Sequence, residues 1–235
     1  MAKQFDSSLL PTIAGDAVAV LTSGGLDSAI LLAELACGAP PPARVAPVYV
    51  RFGLVWEQDE EHALRRFLAA LHGSRADELT VLEAPVRGVY GEHWSATGQG
   101  VPDEKTPDEA VYLPGRNLLL LAPTAVWCHL QGIDTIALGH LGGNPFADST
   151  REFFGAYGEV MNRALDGRLR IVQPYRSLSK TEVLSRGRDF PLGLTWSCIR
   201  PVRGFHCGRC NKCAERQRAF AQAGIPDTTA YAERL

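Results

Sequence analysis

Nothing in the sequence approaches the roughly 18 consecutive apolar residues that span a bilayer. The opening Met-Ala-Lys-Gln-Phe-Asp also lacks the basic flank and apolar stretch of an export signal. Membrane-spanning and secreted classes are thereby set aside, and a soluble, cytoplasmic protein is expected. An excess of one charge is missing too. The 24 Lys and Arg against 26 Asp and Glu leave a net charge of −2, so no global field draws the chain to a nucleic acid, and any such contact must be local. No internal repeat or low-complexity tract is found. The remaining composition, 46% hydrophobic and 21% charged over 235 residues, is that of a globular chain with room for one sizeable core.

The apolar runs alternate in type. Residues 17 to 23, Ala-Val-Ala-Val-Leu-Thr-Ser, have no polar alternation, as expected of a strand buried on both faces. Asp27 to Ala36 reads as a helix, Pro40-Pro41-Pro42 as a linker and Val45 to Phe52 as a second buried strand. Glu57 to His72 carries Leu64, Phe67, Leu68 and Leu71 near helical spacing, and Leu79 to Leu82 follows as a third strand. Arg116 to Leu130 is apolar nearly all round, which predicts a buried helix leading to a strand over Thr135 to Gly139. This alternation predicts an α/β fold, a doubly wound Rossmann-like parallel sheet with ligands at the C-terminal ends of its strands. Residues 86 to 113 and 140 to 150 are then candidate active-site loops. The expected organisation is an α/β domain over 1–190, with a small helical region over 191–235 packed on it.

Between the first strand and first helix lies Thr22-Ser23-Gly24-Gly25-Leu26-Asp27-Ser28. Unpaired N–H groups and the positive helix end favour an anion there. Gly24 and Gly25 let the backbone approach phosphate oxygens, to which the Ser23 and Ser28 hydroxyls can donate. The Asp27 carboxylate beside a polyphosphate requires an intervening cation, which suits Mg²⁺ on a leaving pyrophosphate. The loop has neither the Lys-Ser/Thr ending of a Walker A loop nor dinucleotide-fold glycine spacing, which argues against a GTPase and a dehydrogenase. The plainer alternative is a helix start capped by Ser23 and Asp27. The hexapeptide resembles the signature Ser-Gly-Gly-x-Asp-Ser of the PP-loop ATP pyrophosphatases. That likeness implies ATP, a substrate that becomes an adenylate, and AMP and pyrophosphate as products.

Four of the six cysteines, Cys198, Cys207, Cys210 and Cys213, form C-x8-C-x2-C-x2-C. Such crowding without an export signal points to metal, and a closed four-thiolate shell points to structural Zn²⁺. Gly208 supplies the tight turn. His206 is expected to be a solvated neighbour, and Cys37 and Cys128 read as small buried hydrophobes. Arg200, Arg203, Arg209, Lys212, Arg216 and Arg218 surround the cluster as a local positive patch for a carboxylate, a phosphate or RNA, or as an ordinary solvated surface.

Thr195-Trp196-Ser197-Cys198, then Cys207-Gly208-Arg209-Cys210-Asn211-Lys212-Cys213 with Arg216, Ala219, Phe220 and Gly224, resembles the QueC family of 7-cyano-7-deazaguanine synthases. Pro114-Gly115-Arg116-Asn117 and Ser179-Lys180-Thr181-Glu182 are similar to segments of the same family, and the likeness runs from about residue 17 to 227. It implies conversion of the carboxylate of 7-carboxy-7-deazaguanine to a nitrile with ATP and ammonia by way of an amide, and a homodimer. Arg116 and Lys180 become candidates for phosphate contacts, with Asp27 in the catalytic set. Two stretches depart from the family pattern. One is Phe52-Gly53-Leu54-Val55-Trp56-Glu57. The other runs from His140 to Phe153, and only Asp148, Arg151, Glu152 and Phe153 keep the family's tail. Those four are the candidate substrate-binding residues. Asp148 or Glu152 would read the guanine-like edge and Arg151 the carboxylate, while Phe52, Trp56 or Phe146 would stack on the ring.

Two rivals remain. One keeps the activation chemistry but changes the acceptor, to another amine or to tRNA thiolation, for which only Cys37 and Cys128 would be left as thiols. The other is a non-catalytic RNA-binding zinc module, which leaves the phosphate loop unexplained.

Overall fold

The computed structural model describes residues 17–38 and 42–235, so Pro40 and Pro41 of the expected linker lie outside the described residues. Five strands, β1 (Ala17–Leu21), β2 (Arg44–Arg51), β3 (Thr80–Glu83), β4 (Thr135–Leu138) and β5 (Arg170–Val172), form one sheet in the order β3-β2-β1-β4-β5. Every pairing is parallel, and Leu21 at the end of β1 stands opposite both Val48 and Leu138. The fold is the Rossmann-like α/β arrangement that the alternation of runs predicts.

The uninterrupted apolar character of β1 has a direct cause. Val18, Ala19 and Val20 are fully buried because helices cover both faces. Val18 and Val20 join a core with α1 (Leu26–Cys37), α7 (Lys180–Arg186) and α8 (Asn211–Ala223). Ala19 faces the other way, toward Leu121, Ala125 and Phe154 of α5 (Arg116–Leu130) and α6 (Arg151–Leu165). Helix α2 (Glu57–Ala70) sends Phe67 against Ala29 and Ala33 of α1, and two single-turn helices, α3 (Arg87–Tyr90) and α4 (Trp94–Thr97), follow β3.

Three differences from the sequence reading have physical reasons. β5 has only three residues, too few for a periodic signal. Helix α6 occupies the tail of the stretch read as a substrate loop, where Thr150 accepts a hydrogen bond from Phe153 N–H and so starts the helix. Helix α5 is not buried all round. Leu121, Thr124, Ala125 and Cys128 form its buried stripe, while Leu118, Val126 and Leu130 stand exposed in an i, i+8, i+12 row.

The strand order reverses between β1 and β4, and the helices that follow them, α1 and α6, pack on opposite faces of the sheet, which places a crevice at the C-terminal ends of the two strands, the usual ligand position in open α/β sheets. Gly139, where the chain leaves β4, passes so close to the loop after β1 that an added Cβ would lie 2.8 Å from the Asp27 carbonyl carbon and Ser28 nitrogen. The C-terminal region closes the same end. Trp196 N–H donates to the Gly24 carbonyl at 2.8 Å. Ala219 and Phe220 of α8 enter the core with Val183 and Leu184 of α7.

Candidate active site

The loop after β1 runs straight into α1. Gly24 has a φ of +73°. Gly25 is the N-cap residue and makes no side-chain capping bond, so the alternative in which Ser23 and Asp27 serve as caps is not what the chain adopts. The first-turn N–H groups of α1 therefore remain available to an anion. Ser28 Oγ accepts from Ser23 N–H at 3.3 Å and donates to Gly25 C=O at 3.2 Å, which holds the hydroxyl inside the loop. Asp27 meets Lys180, the first residue of α7, whose Nζ donates to both carboxylate oxygens at 2.9 and 2.7 Å. A Ser179–Glu182 capping box fixes the start of α7 and hence the position of Lys180.

These groups line a cavity of about 320 Å³ that also takes in Arg116, Asp148 and Phe146. Arg116 follows Gly115 at the start of α5. Its guanidinium makes no hydrogen bond or ion pair among the described residues, and Nε is buried without a partner. An arginine at a cavity wall in that condition is poised for an anionic ligand. Asp148 is buried beside it, with one carboxylate oxygen accepting Asn117 N–H at 3.0 Å.

Sequence reasoning missed two acids here. Glu57 accepts Phe52 and Gly53 N–H at 2.5 and 2.7 Å and thereby shapes the divergent turn after β2. Glu60, one helical turn on, is buried at the cavity wall and accepts the Tyr49 hydroxyl at 2.7 Å. Desolvation pushes its carboxyl up to about 7, against the opposing pull of Arg116 and Tyr49. The only sequence signal is an acidic pair at i, i+3 just after a strand, which ordinarily marks a solvated first turn. His140, immediately beyond β4, also lines the cavity and stacks on Phe154 at 5.3 Å. Burial, reinforced by Arg116 and Arg176, lowers its pKa to about 4, so the ring is neutral at pH 7.

Of the four candidate substrate residues, Asp148 alone reaches the cavity wall. Arg151 and Glu152 are exposed in the first turn of α6 and Phe153 packs on Phe154 and Tyr157, because the segment is helical and turns them away. Phe52 and Trp56 line the cavity as buried core residues, with Trp56 stacked on Trp94, whereas Phe146 leans on Tyr112 at 4.9 Å.

The four cysteines converge. Their sulfurs all lie within 4.8 Å of one another, with Cys207–Cys213 at 3.9 Å and Cys198–Cys210 at 4.0 Å. Tetrahedral thiolates about 2.3 Å from one ion stand about 3.8 Å apart, so the donor set fits a single metal ion. Cys207 N–H and Arg200 N–H donate to Cys198 Sγ, and Arg209 N–H and Cys210 N–H donate to Cys207 Sγ, which favours the thiolate form. Gly208 makes the turn at φ +84°. His206 is not solvated. It is buried, accepts Ser197 N–H through Nε2 at 3.1 Å and packs at a tilt on Trp196, ring centroids 4.2 Å apart, because the turn folds it under the knuckle. The basic residues around the cluster do not share one surface. Arg216 is buried on Thr195, Thr229 and Leu192 C=O, Arg209 pairs with Glu233, and Lys212 lines the cavity. Cys128 is fully buried, which pushes its thiol up to about 12, and Cys37 packs against the core.

A parallel sheet with a Ser-Gly-Gly-Leu-Asp-Ser loop at its switch point, and a cysteine cluster folded over that loop, is a Rossmann-like protein of the PP-loop type. Comparison with known proteins narrows the class. Residues 17–224 match the family model described as queuosine biosynthesis protein QueC, and the chain belongs to the QueC family. The 7-cyano-7-deazaguanine synthase of Syntrophobacter fumaroxidans is 36% identical over 231 residues, covering 90% of this chain and 94% of that protein. The Syntrophotalea carbinolica protein of the same name is 30% identical over 232 residues, covering 92% and 96%. Among solved structures, the U34-tRNA thiolase NcsA from Methanococcus maripaludis aligns at 13% identity with a TM-score of 0.46, over 88% of this chain and 67% of that chain.

The Glu60 shift has a measurable consequence. The carboxyl rises from 4.5 to about 7 on folding, so between those values the folded chain holds a proton that the unfolded chain has released. Stability falls as pH rises through that window. Glu60→Gln mimics the protonated form, and thermal denaturation should find it more stable than the parent by roughly 5 °C at pH 8 and little changed at pH 5.

Proposed function

We propose that the chain is an ATP-dependent carbon–nitrogen ligase that activates the carboxylate of 7-carboxy-7-deazaguanine as an adenylate and passes it to ammonia, and then activates the resulting amide on its way to the nitrile. The observation that carries this reading is the Asp27–Lys180 ion pair at the N-terminus of α1, facing an Arg116 without an ionic partner across one cavity. The relatives' name supports the substrate class.

In this mechanism a carboxylate oxygen of the substrate attacks the α-phosphorus of ATP, and the bond to the bridging oxygen of pyrophosphate breaks. Residues Thr22 to Ser28 hold the departing pyrophosphate through N–H and hydroxyl groups. Lys180 moves from Asp27 to phosphate, and the Asp27 carboxylate so released would hold Mg²⁺, which would neutralise charge on the leaving group. Arg116 stabilises the negative charge that accumulates on phosphorus. Ammonia then adds to the acyl carbon, AMP leaves with the former carboxylate oxygen, and the surplus proton passes to solvent or a nearby carboxylate. The amide oxygen then attacks the α-phosphorus of a second ATP held by the same groups, pyrophosphate leaves again, and loss of AMP, with the two nitrogen-bound protons passing to solvent or a nearby carboxylate, gives the nitrile. Asp148 is the candidate for the guanine-like edge, through the oxygen not engaged by Asn117, and Phe146 for stacking.

The knuckle is proposed to hold structural Zn²⁺. The homodimer is proposed to form through the exposed Leu118, Val126 and Leu130 of α5 with Val160 of α6, a face whose sequence reads as buried. The RNA-binding alternative has less support, because the basic residues of the knuckle are dispersed among core, cavity and surface.

With Mg²⁺, ATP, ammonia and 7-carboxy-7-deazaguanine, AMP should form only when the deazaguanine is present. Asp27→Ala should lower that rate by about 100-fold or more. ADP in place of AMP, or turnover indifferent to the deazaguanine, would contradict the reading. Metal analysis should return about one zinc per chain, and Cys213→Ser should lose it together with roughly 10 °C of melting temperature. Iron in place of zinc would refute that assignment. Light scattering should give about twice the 25.5 kDa chain mass, and Leu130→Glu combined with Val160→Glu should halve it. A parent that runs as a monomer removes the proposed interface.

A further inference from the structure

Two lysines face the cavity, not only the one expected there. Lys180 lies 2.7 Å from Asp27 and 3.9 Å from Glu215 of α8. Lys212, in the first turn of α8, is 2.5 Å from the second oxygen of Glu215. Asp27, Lys180, Glu215 and Lys212 all line the same cavity as the loop after β1. They alternate in sign and sum to zero.

An exposed ion pair on a helix surface holds its partners loosely and contributes little. This row differs in two respects. Its side chains are only 24% to 33% exposed, and its backbone is fixed. Lys212 lies between Cys210 and Cys213, whose sulfurs belong to the cluster, and Asn211 N–H donates to Pro102 C=O at 3.0 Å. The knuckle therefore brings a second ammonium, from α8, to the cavity lined by Asp27 and Lys180. A polyphosphate with its divalent cation suits this arrangement. The two carboxylates can turn toward the metal and the two ammoniums toward phosphate oxygens, so that each charge exchanges one partner for another without being left unpaired.

We propose that Lys212 is a second phosphate-binding ammonium beside Lys180, taking the β- and γ-phosphates of ATP and inorganic pyrophosphate. This rests on the ATP reading given above. It gives the knuckle a part in ligand binding beyond holding the fold together.

Calorimetric titration of the full metal-loaded chain tests it, with Mg·ATP, Mg·pyrophosphate and AMP as separate ligands. Lys212→Ala should weaken ATP and pyrophosphate by about tenfold or more and leave AMP, which lacks the outer phosphates, unchanged. Lys212→Arg keeps the charge and should hold pyrophosphate within about threefold of the parent. Metal content measured on each variant separates lost charge from a damaged knuckle. Unchanged pyrophosphate binding in Lys212→Ala, or an equal loss for AMP, overturns the inference and leaves the ATP reading standing. Should Ala disturb the metal, a tenfold loss in a fully metallated Lys212→Arg overturns it instead. A parent chain that binds neither ATP nor pyrophosphate removes both readings together.

Discussion

The hydrogen bond from Trp196 N–H to the Gly24 carbonyl, 2.8 Å long, joins the two parts of the molecule on which the site depends. Gly24 belongs to the loop after β1 and Trp196 lies two residues before the first cysteine of the cluster. The Trp196 indole donates to Cys198 C=O at 2.8 Å and its ring packs on His206, so the segment that reaches the loop is itself held by the knuckle. Arg216 completes the joint from beneath by donating to Thr195, Ser197, Thr229 and Leu192 C=O. A buried guanidinium satisfied only by neutral acceptors is costly to place, and here it organises several backbone segments at once. Loosening of the cysteine cluster would therefore be felt at the loop and not only at the cysteines.

Around this joint the site sorts charge by wall. The wall beside the loop after β1 carries Asp27, Lys180, Glu215 and Lys212, each paired. The far wall carries Arg116 without a partner, with Glu60 and Glu57 behind it. Glu57 is committed to the Phe52 and Gly53 amides, and Glu60, pushed up to about 7 by burial, is only partly ionised at neutral pH. Arg116 thus keeps part of its positive field for a ligand, and neutral His140 does not compete with it for an anion. That balance suits chemistry in which negative charge grows on phosphorus between the two walls.

Much of this was legible in the residues. Buried parallel strands show as unbroken apolar runs, which located β1, β2 and β4 to within one or two residues. The loop and the cysteines declare themselves by spacing. What was not legible depended on tertiary placement. Glu60 looks like any acid in the first turn of a helix until packing of α2 against the loop buries it. The apolar circumference of α5 suggests a helix enclosed by its own chain, yet the monomer supplies neighbours on one side only. Reading residues 140 to 153 as a loop hid α6, whose first turn directs Arg151 and Glu152 outward. The knuckle's basic residues are contiguous in sequence, but the helix and turn that carry them divide them among core, cavity and surface.

The central claim is that the substrate's own carboxylate oxygen bonds to the α-phosphorus of ATP, and an oxygen label follows that atom. With 7-carboxy-7-deazaguanine carrying ¹⁸O in its carboxylate, the AMP released on amide formation should contain one labelled oxygen and the pyrophosphate none, as read by mass spectrometry. Label in inorganic phosphate, or unlabelled AMP alongside product, would mean that the carboxylate is activated elsewhere or otherwise, and would contradict the account.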